Sequence, residues 1–252
     1  MLELAQLEVV VPGSPRWRVG PVALAVAPGE RLVLMGPSGA GKTSLLRAIV
    51  GLDRVAAGAV RVAGADVTRR PPWARGIGLA GQDAPHHPQC TVRRNLELAL
   101  RSCGLDRAAI ADRVAEVADA LELDGLLERS AAVLSGGELR RLAIARALAP
   151  RPAVLLLDEP FAHLDRPLRG RVAELVAEAT RGEVAVVLVA HEPEPALALA
   201  TRVAFLERTP GGDARIVQVG TAAELAAAPA TATVAAFLAG AGGNAGPPTA
   251  AS

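Results

Sequence analysis

The run Gly36-Pro37-Ser38-Gly39-Ala40-Gly41-Lys42-Thr43 narrows what this chain can fold into more than any other part of it. The segment before it, Arg31–Met35 (RLVLM), is a bare apolar run of strand length. The segment after it, from about Lys42 to Val50, reads as a helix stopped by Gly51. Strand, glycine-rich loop and helix, in that order, are the setting that the pattern G-x-x-x-x-G-K-[ST] requires. Its glycines let successive backbone N–H groups turn inward around phosphate oxygens, and the helix N-terminus adds its dipole. Lys42 is expected to reach the β- and γ-phosphates of a nucleotide, and Thr43 to offer its hydroxyl to Mg²⁺. Composition sharpens Lys42: it is the only lysine among 27 basic residues. A compact, mobile ammonium does a different job from a broad planar guanidinium.

The rest of the chain alternates between strand and helix patterns. Leu2–Val11, Val22–Val26, Ala153–Leu157 and Glu183–Ala190 read as strands, and Ala59–Val62 with the Gly64-Ala65-Asp66 turn suggests a small hairpin. Val92–Arg101, Ala108–Leu121, Glu138–Leu148 and Leu168–Thr180 read as helices with charged outer faces. This order predicts an α/β fold with a mostly parallel sheet, an antiparallel β segment at the N-terminus and an inserted helical subdomain over about 83–150.

Two further motifs carry chemistry. In Val154-Leu155-Leu156-Leu157-Asp158-Glu159-Pro160 an apolar strand delivers two acids at its C-terminal end, where open α/β sheets bind ligands. Asp158 is expected to hold Mg²⁺, directly or through water, and Glu159 to act on the attacking water as general base. In Leu134-Ser135-Gly136-Gly137-Glu138, Ser135 and two glycines open a helix, a second anion site in a chain that already has one. By itself the run reads as a capped helix after a Gly-Gly turn; taken as an anion site, it would serve a nucleotide held by another copy.

With these residues in view, the chain resembles the ATP-binding subunits of the ABC transporter family. The resemblance rests on GPSGAGKT, LSGGE upstream of LLLDE, and His191 after the next strand, in that order over roughly residues 1–240. It implies a P-loop NTPase core, ATP and Mg²⁺ as ligands, and an ATPase working as a head-to-tail dimer. Each ATP would lie between one P-loop, extended to Ser44, and the signature turn Ser135, Gly136, Gly137 and Glu138 of the other subunit, a second copy or a paired ABC ATPase. The resemblance places Gln82 as the lid glutamine near Mg²⁺ and the γ-phosphate, Asp165 in the loop facing the partner, and His191 as the switch histidine beside Glu159. Catalysis would then rest on Lys42, Gln82, Glu159 and His191, and the metal on Thr43, Gln82 and Asp158.

The flanks, PHHPQCTVRRNLELAL and RIVQVGTAAELAAAPATATVAAFLAG, are similar to ATPases of bacterial importers. That likeness implies a separate membrane permease docking near Gln82, an extracytoplasmic solute-binding protein, and a peripheral position on the cytoplasmic face of the inner membrane. It also suggests a member without a C-terminal regulatory domain, ending in a flexible Gly/Pro/Ala tail over 241–252. An exporter ATPase or a soluble non-transport ABC ATPase is the alternative. The chain departs from the family where an aromatic ring usually lies under adenine: it has no Tyr, and Trp17 is either that platform or a packing residue. Gly81, Glu138 and the sequence around His191 depart as well.

Composition excludes other classes. A net charge of +1 and only three Phe and two Trp argue against a nucleic-acid partner. Cys90 and Cys103 are too few for a disulfide framework, and His86 and His87 read as solvated loop residues. From Leu225 onward no residue is charged, but Ala, Gly, Thr and Pro dominate, which predicts a short helix and a tail rather than a membrane span.

Overall fold

The central strands, Arg31–Met35, Val154–Asp158 and Ala185–Val189, are short and apolar on both sides because the sheet is covered there on both faces. The computed structural model describes residues 1–10, 17–81, 86–162, 164–190, 193–209 and 211–239. Its strands are β1 (Leu2–Val10), β2 (Arg18–Val26), β3 (Arg31–Met35), β4 (Val55–Val62), β5 (Ala65–Asp66), β6 (Ile77–Ala80), β7 (Val154–Asp158), β8 (Ala185–Val189), β9 (Arg202–Arg208) and β10 (Ala214–Gly220). Its helices are α1 (Lys42–Val50), α2 (Val92–Leu100), α3 (Arg107–Ala120), α4 (Gly136–Leu148), α5 (Arg166–Ala179), α6 (Pro193–Leu199), α7 (Ala222–Ala227) and α8 (Ala232–Ala239).

The strands form one sheet in the order β5-β4-β1-β2-β10-β9-β3-β8-β7-β6. From β9 to β6 every neighbouring pair is parallel. From β5 to β2 every pair is antiparallel. The antiparallel part is therefore continuous with the parallel core, joined through β10, which pairs with β2 on one side and β9 on the other. Side chains alternate between two cores with the period of a strand. Val33, Met35, Leu155, Leu157, Val186 and Leu188 point into a core shared with α2 to α6. Leu32, Leu34, Leu156 and Val187 point into a second, shared with α1, β1 and β2. Burial on both faces is what turns these strands into unbroken apolar runs.

The sequence reading placed β3 and α1 at their observed bounds and most other elements within a few residues. It missed β6, β9 and β10 as strands, and α6. β6 spans four residues with Gly78 inside it. A Cβ on Gly78 would stand 2.3 Å from the Ala147 carbonyl oxygen, so glycine there lets α4 lie against the sheet. β2 begins at Arg18 rather than Val22, since Gly20-Pro21 hid the first half of a strand that is only partly buried. The helix expected over Val92–Arg101 begins at Val92, capped by Thr91, whose hydroxyl accepts from the Arg94 N–H.

No helix among the described residues is long and apolar enough to cross a membrane. The expected tail over 241–252 lies outside the described residues.

Candidate nucleotide site

β3 ends at Met35, and the loop that follows is forced into shape by its neighbours. Gly36 has φ 143°, and a Cβ there would stand 2.0 Å from the Leu206 carbonyl oxygen of β9. Only glycine lets the loop leave the sheet beside that carbonyl. α1 opens at Gly41 with no side-chain cap, so its first N–H groups face the loop unclaimed by a capping side chain. Lys42 folds back over the loop: its Nζ donates to the carbonyl oxygens of Gly36 at 2.7 Å and Pro37 at 2.8 Å. The side chain is 5% exposed. Burial pulls its pKa below the ordinary lysine value, and the negative charges of Glu159 and Asp158 oppose that shift. An anion bound in the loop would favour the charged form further.

β7 brings the acids to the same place. Thr43 Oγ1 donates to Asp158 Oδ1 at 3.3 Å, joining the first turn of α1 to the end of β7. Glu159, the next residue, has φ 53°. A glutamate in the left-handed region costs about 1–3 kcal/mol and persists only where its surroundings enforce it. Here its N–H is tied to the Val189 carbonyl of β8 at 2.9 Å. Strain of this kind gathers at functional positions.

Ser135 and Glu138 form a reciprocal cap on α4. The Ser135 hydroxyl accepts from the Glu138 N–H at 3.3 Å, and the Ser135 N–H donates to Glu138 Oε2 at 2.7 Å. That backbone N–H, with the hydroxyl, holds the Glu138 carboxyl below its ordinary pKa. Glutamate at this position, where the resemblance leads one to expect glutamine, therefore completes the cap. Ser135 and Gly136 are exposed, and nothing lies within 4 Å of where a Gly136 Cβ would be. Asp165 caps α5, accepting from the Leu168 N–H at 2.9 Å. Gln82, His163 and His191 lie outside the described residues.

Trp17 sits at the mouth of the loop: its Cζ2 is 3.7 Å from where a Gly41 Cβ would be. The Arg208 guanidinium lies over the indole at 4.4 Å from the ring centre. The ring thus carries a cation on one face, an arrangement that charge and ring quadrupole favour.

Three side chains that matter here escaped the sequence reading. Buried Arg75 donates to the Ala48 and Ile49 carbonyls and so caps the C-terminus of α1. Asn95, fully buried, accepts from the His87 N–H and donates to the His87 and Thr91 carbonyls, pinning the loop before α2. Asn95 was findable as a polar residue on the apolar stripe of Val92, Leu96 and Leu100. The third, Arg208, has no local signal, because it meets Trp17 only through the sheet.

Residues 19–162 match the ABC transporter family. The chain belongs to that family. It is 45% identical over 218 residues to the Fe(3+) ions import ATP-binding protein FbpC of Streptomyces coelicolor, a match covering 86% of this chain and 61% of that protein. It is 38% identical to the spermidine/putrescine import ATP-binding protein PotA of Pseudomonas fluorescens, over 86% of this chain and 59% of that one. It is 40% identical to the sn-glycerol-3-phosphate import ATP-binding protein UgpC of Escherichia coli, over 87% of this chain and 61% of that one. The chain thus spans about three fifths of the length of the curated relatives it matches. Among solved structures it is similar, at 26% identity and TM-score 0.73, to an ATP-binding cassette in a dimeric post-hydrolysis state bound to ADP and Pi, over 88% of this chain and 98% of that one. These likenesses agree with the α/β P-loop architecture of the ABC ATPases.

Proposed function

We propose that this ABC-family chain binds and hydrolyses ATP and that the hydrolysis powers solute import through a separate membrane permease. The observation that carries the reading is the meeting of Lys42, Thr43, Asp158 and Glu159 at one edge of the sheet, with Glu159 held at φ 53°. Backbone N–H groups from Ser38 to Ser44 cradle the phosphates, and Lys42 exchanges its carbonyl partners for phosphate oxygens. Glu159 takes the proton of the attacking water. The Thr43 hydroxyl and an Asp158 carboxylate oxygen are hard oxygen donors, 3.3 Å apart. That donor set suits Mg²⁺, which keeps most of its waters and is shared with substrate phosphates. When bound, the ion neutralises charge on the transferring phosphoryl group. Gln82 and His191 complete the site as lid glutamine and switch histidine.

The Ser135–Gly137 turn, exposed at Ser135 and Gly136, is offered to the nucleotide of a second copy, with Asp165 in the loop beside the partner. Residues 1–240 act as one ATPase domain, and the helices within about 83–150 move as a helical subdomain. The permease docks near Gln82, and a solute-binding protein delivers cargo from outside. The import direction rests on the likeness to proteins named as import ATP-binding proteins.

The test is recovery of Glu159→Gln protein, tagged in its host, from detergent-solubilised membranes. Co-purification of a polytopic permease supports the transport reading. Recovery of soluble proteins alone overturns it and leaves the ATPase reading standing.

A further inference from the structure

Strand β9 meets the nucleotide site at two positions of one face. The Leu206 carbonyl sets the path of Gly36, and the Leu206 side chain faces the core shared with α1. Arg208, two residues on, shares that face by the period of a strand. Its guanidinium lies over Trp17, 4.4 Å from the ring centre. The turn after Arg208 adds a second hold. The Thr209 N–H donates to the Asp213 carbonyl at 2.7 Å and the Gly212 N–H to the Thr209 carbonyl at 2.9 Å, so the turn closes on itself. The Asp213 carboxylate then accepts from the Arg18 N–H at 3.1 Å, and Arg208 Nε donates to the Gly212 carbonyl at 3.3 Å. One turn therefore grips residues 17 and 18, the first by its ring face and the second by its backbone.

Two observations say that the ring contact matters. The indole N–H is buried and, among the described residues, hydrogen-bonded to nothing, so no polar contact of its own fixes the plane of the ring. Arg208 is exposed, and no carboxylate among the described residues pairs with it. A guanidinium free to turn into water lies instead on the indole, where the ring quadrupole attracts it. With one face covered by the cation, a base can stack on the opposite face only. The indole edge, 3.7 Å from where a Gly41 Cβ would be, sets that face beside the start of α1.

We propose that Arg208 is a positioning residue of the nucleotide site, holding the Trp17 indole in the pose that receives the adenine on its opposite face. It acts through Trp17 and touches no phosphate. The proposal rests on the ATP-binding reading above, with Trp17 as the platform. Its test compares ligands and variants, so its failure is told apart from failure of that reading.

The experiment is calorimetric titration of the full chain with ATP and with tripolyphosphate. Arg208→Met removes the charge and keeps an apolar stem; Arg208→Lys keeps the charge. The expected result is ATP binding weakened about two- to fivefold in Arg208→Met, the scale of an exposed cation–π contact, with tripolyphosphate binding unchanged. Arg208→Lys restores most of the loss. In a Trp17→Ala background Arg208→Met causes no further loss, because the two residues act as one unit. A spectroscopic signature accompanies this. In Trp73→Phe the remaining indole is Trp17, and its emission shifts to the red in Arg208→Met, as water replaces the guanidinium, and stays in place in Arg208→Lys. Equal loss for ATP and tripolyphosphate overturns the proposal and makes Arg208 a phosphate ligand or a folding residue. The same loss with and without Trp17, or no loss at all in Arg208→Met, overturns it while the ATP reading stands. A wild-type chain that binds neither ligand fails that reading itself, and the proposal with it.

Discussion

Asn95 is the residue through which the loop before α2 is most directly tested. Its side chain is completely buried. Its Oδ1 accepts from the His87 N–H at 2.8 Å, and its Nδ2 donates to the His87 and Thr91 carbonyls, each at 3.0 Å. These groups do not lose equally when the side chain goes. The His87 carbonyl keeps the Cys90 N–H, and the Thr91 carbonyl keeps the backbone N–H of residue 95. The His87 N–H has no second partner among the described contacts. Asn95→Ala therefore orphans one donor, at about 1–3 kcal/mol, and removes two short bonds worth about 0.5–1 kcal/mol each, besides a long one at 3.5 Å to the Cys90 carbonyl. The expected loss is about 3 kcal/mol, or roughly 6–12 °C in Tm for a domain of this size. Urea unfolding is the assay: the midpoint should fall with the slope unchanged. Hydrogen exchange at the His87 amide should rise with it. Asn95→Asp supplies a sharper version. It keeps the acceptor but turns a second carboxylate oxygen toward two carbonyls, so burial raises its folded pKa above the ordinary aspartate value. A raised folded pKa means the variant is relatively most stable at low pH and loses stability as pH rises through that value. A midpoint within about 0.5 kcal/mol of wild type for Asn95→Ala, the range of ordinary surface changes, would refute the reasoning.

Other predictions concern the nucleotide site. Gly36→Ala sets a Cβ 2.0 Å from a backbone carbonyl at φ 143°, so it should lower stability by about 3 kcal/mol or more and abolish nucleotide binding. Gly39→Ala, at φ 74° with open space around it, should cost about 1 kcal/mol in the same melting assay. Glu138 has its folded pKa held below the ordinary 4.5. Its cap is therefore complete above that value and lost as pH falls through the lowered one. The urea stability advantage over Glu138→Gln, followed from pH 7 to pH 3, should shrink accordingly. Trp17→Ala should weaken ATP binding about tenfold, the scale of a base on an aromatic platform, and leave tripolyphosphate binding unchanged. Equal loss for both ligands would make Trp17 a packing residue.

Much of this was legible in the sequence because the parallel strands and the phosphate loop obey local rules. Leu32–Met35 and Val154–Leu157 are apolar throughout because both faces are buried, and GPSGAGKT fixes the turn between β3 and α1. What escaped depends on contacts across the sheet. β10 mixes buried and exposed positions without strict alternation, since it bridges the parallel and antiparallel parts. Arg75 serves the end of α1 from a distant turn, and Arg208 reaches Trp17 from another strand. The left-handed backbone of Glu159 has no glycine to announce it. It follows from the tie to Val189 on β8, which exists only once the sheet has formed.

The most direct test of the central claim is the steady-state ATPase rate of the purified chain and of Glu159→Gln with Mg²⁺, beside light scattering in ATP. The account predicts measurable turnover for wild type, a fall of at least about 100-fold for the variant, as expected when a general base is lost, and an ATP-dependent dimer for the variant. Wild-type turnover in Glu159→Gln would contradict the assignment of Glu159 as the base and, with it, the reading of this site.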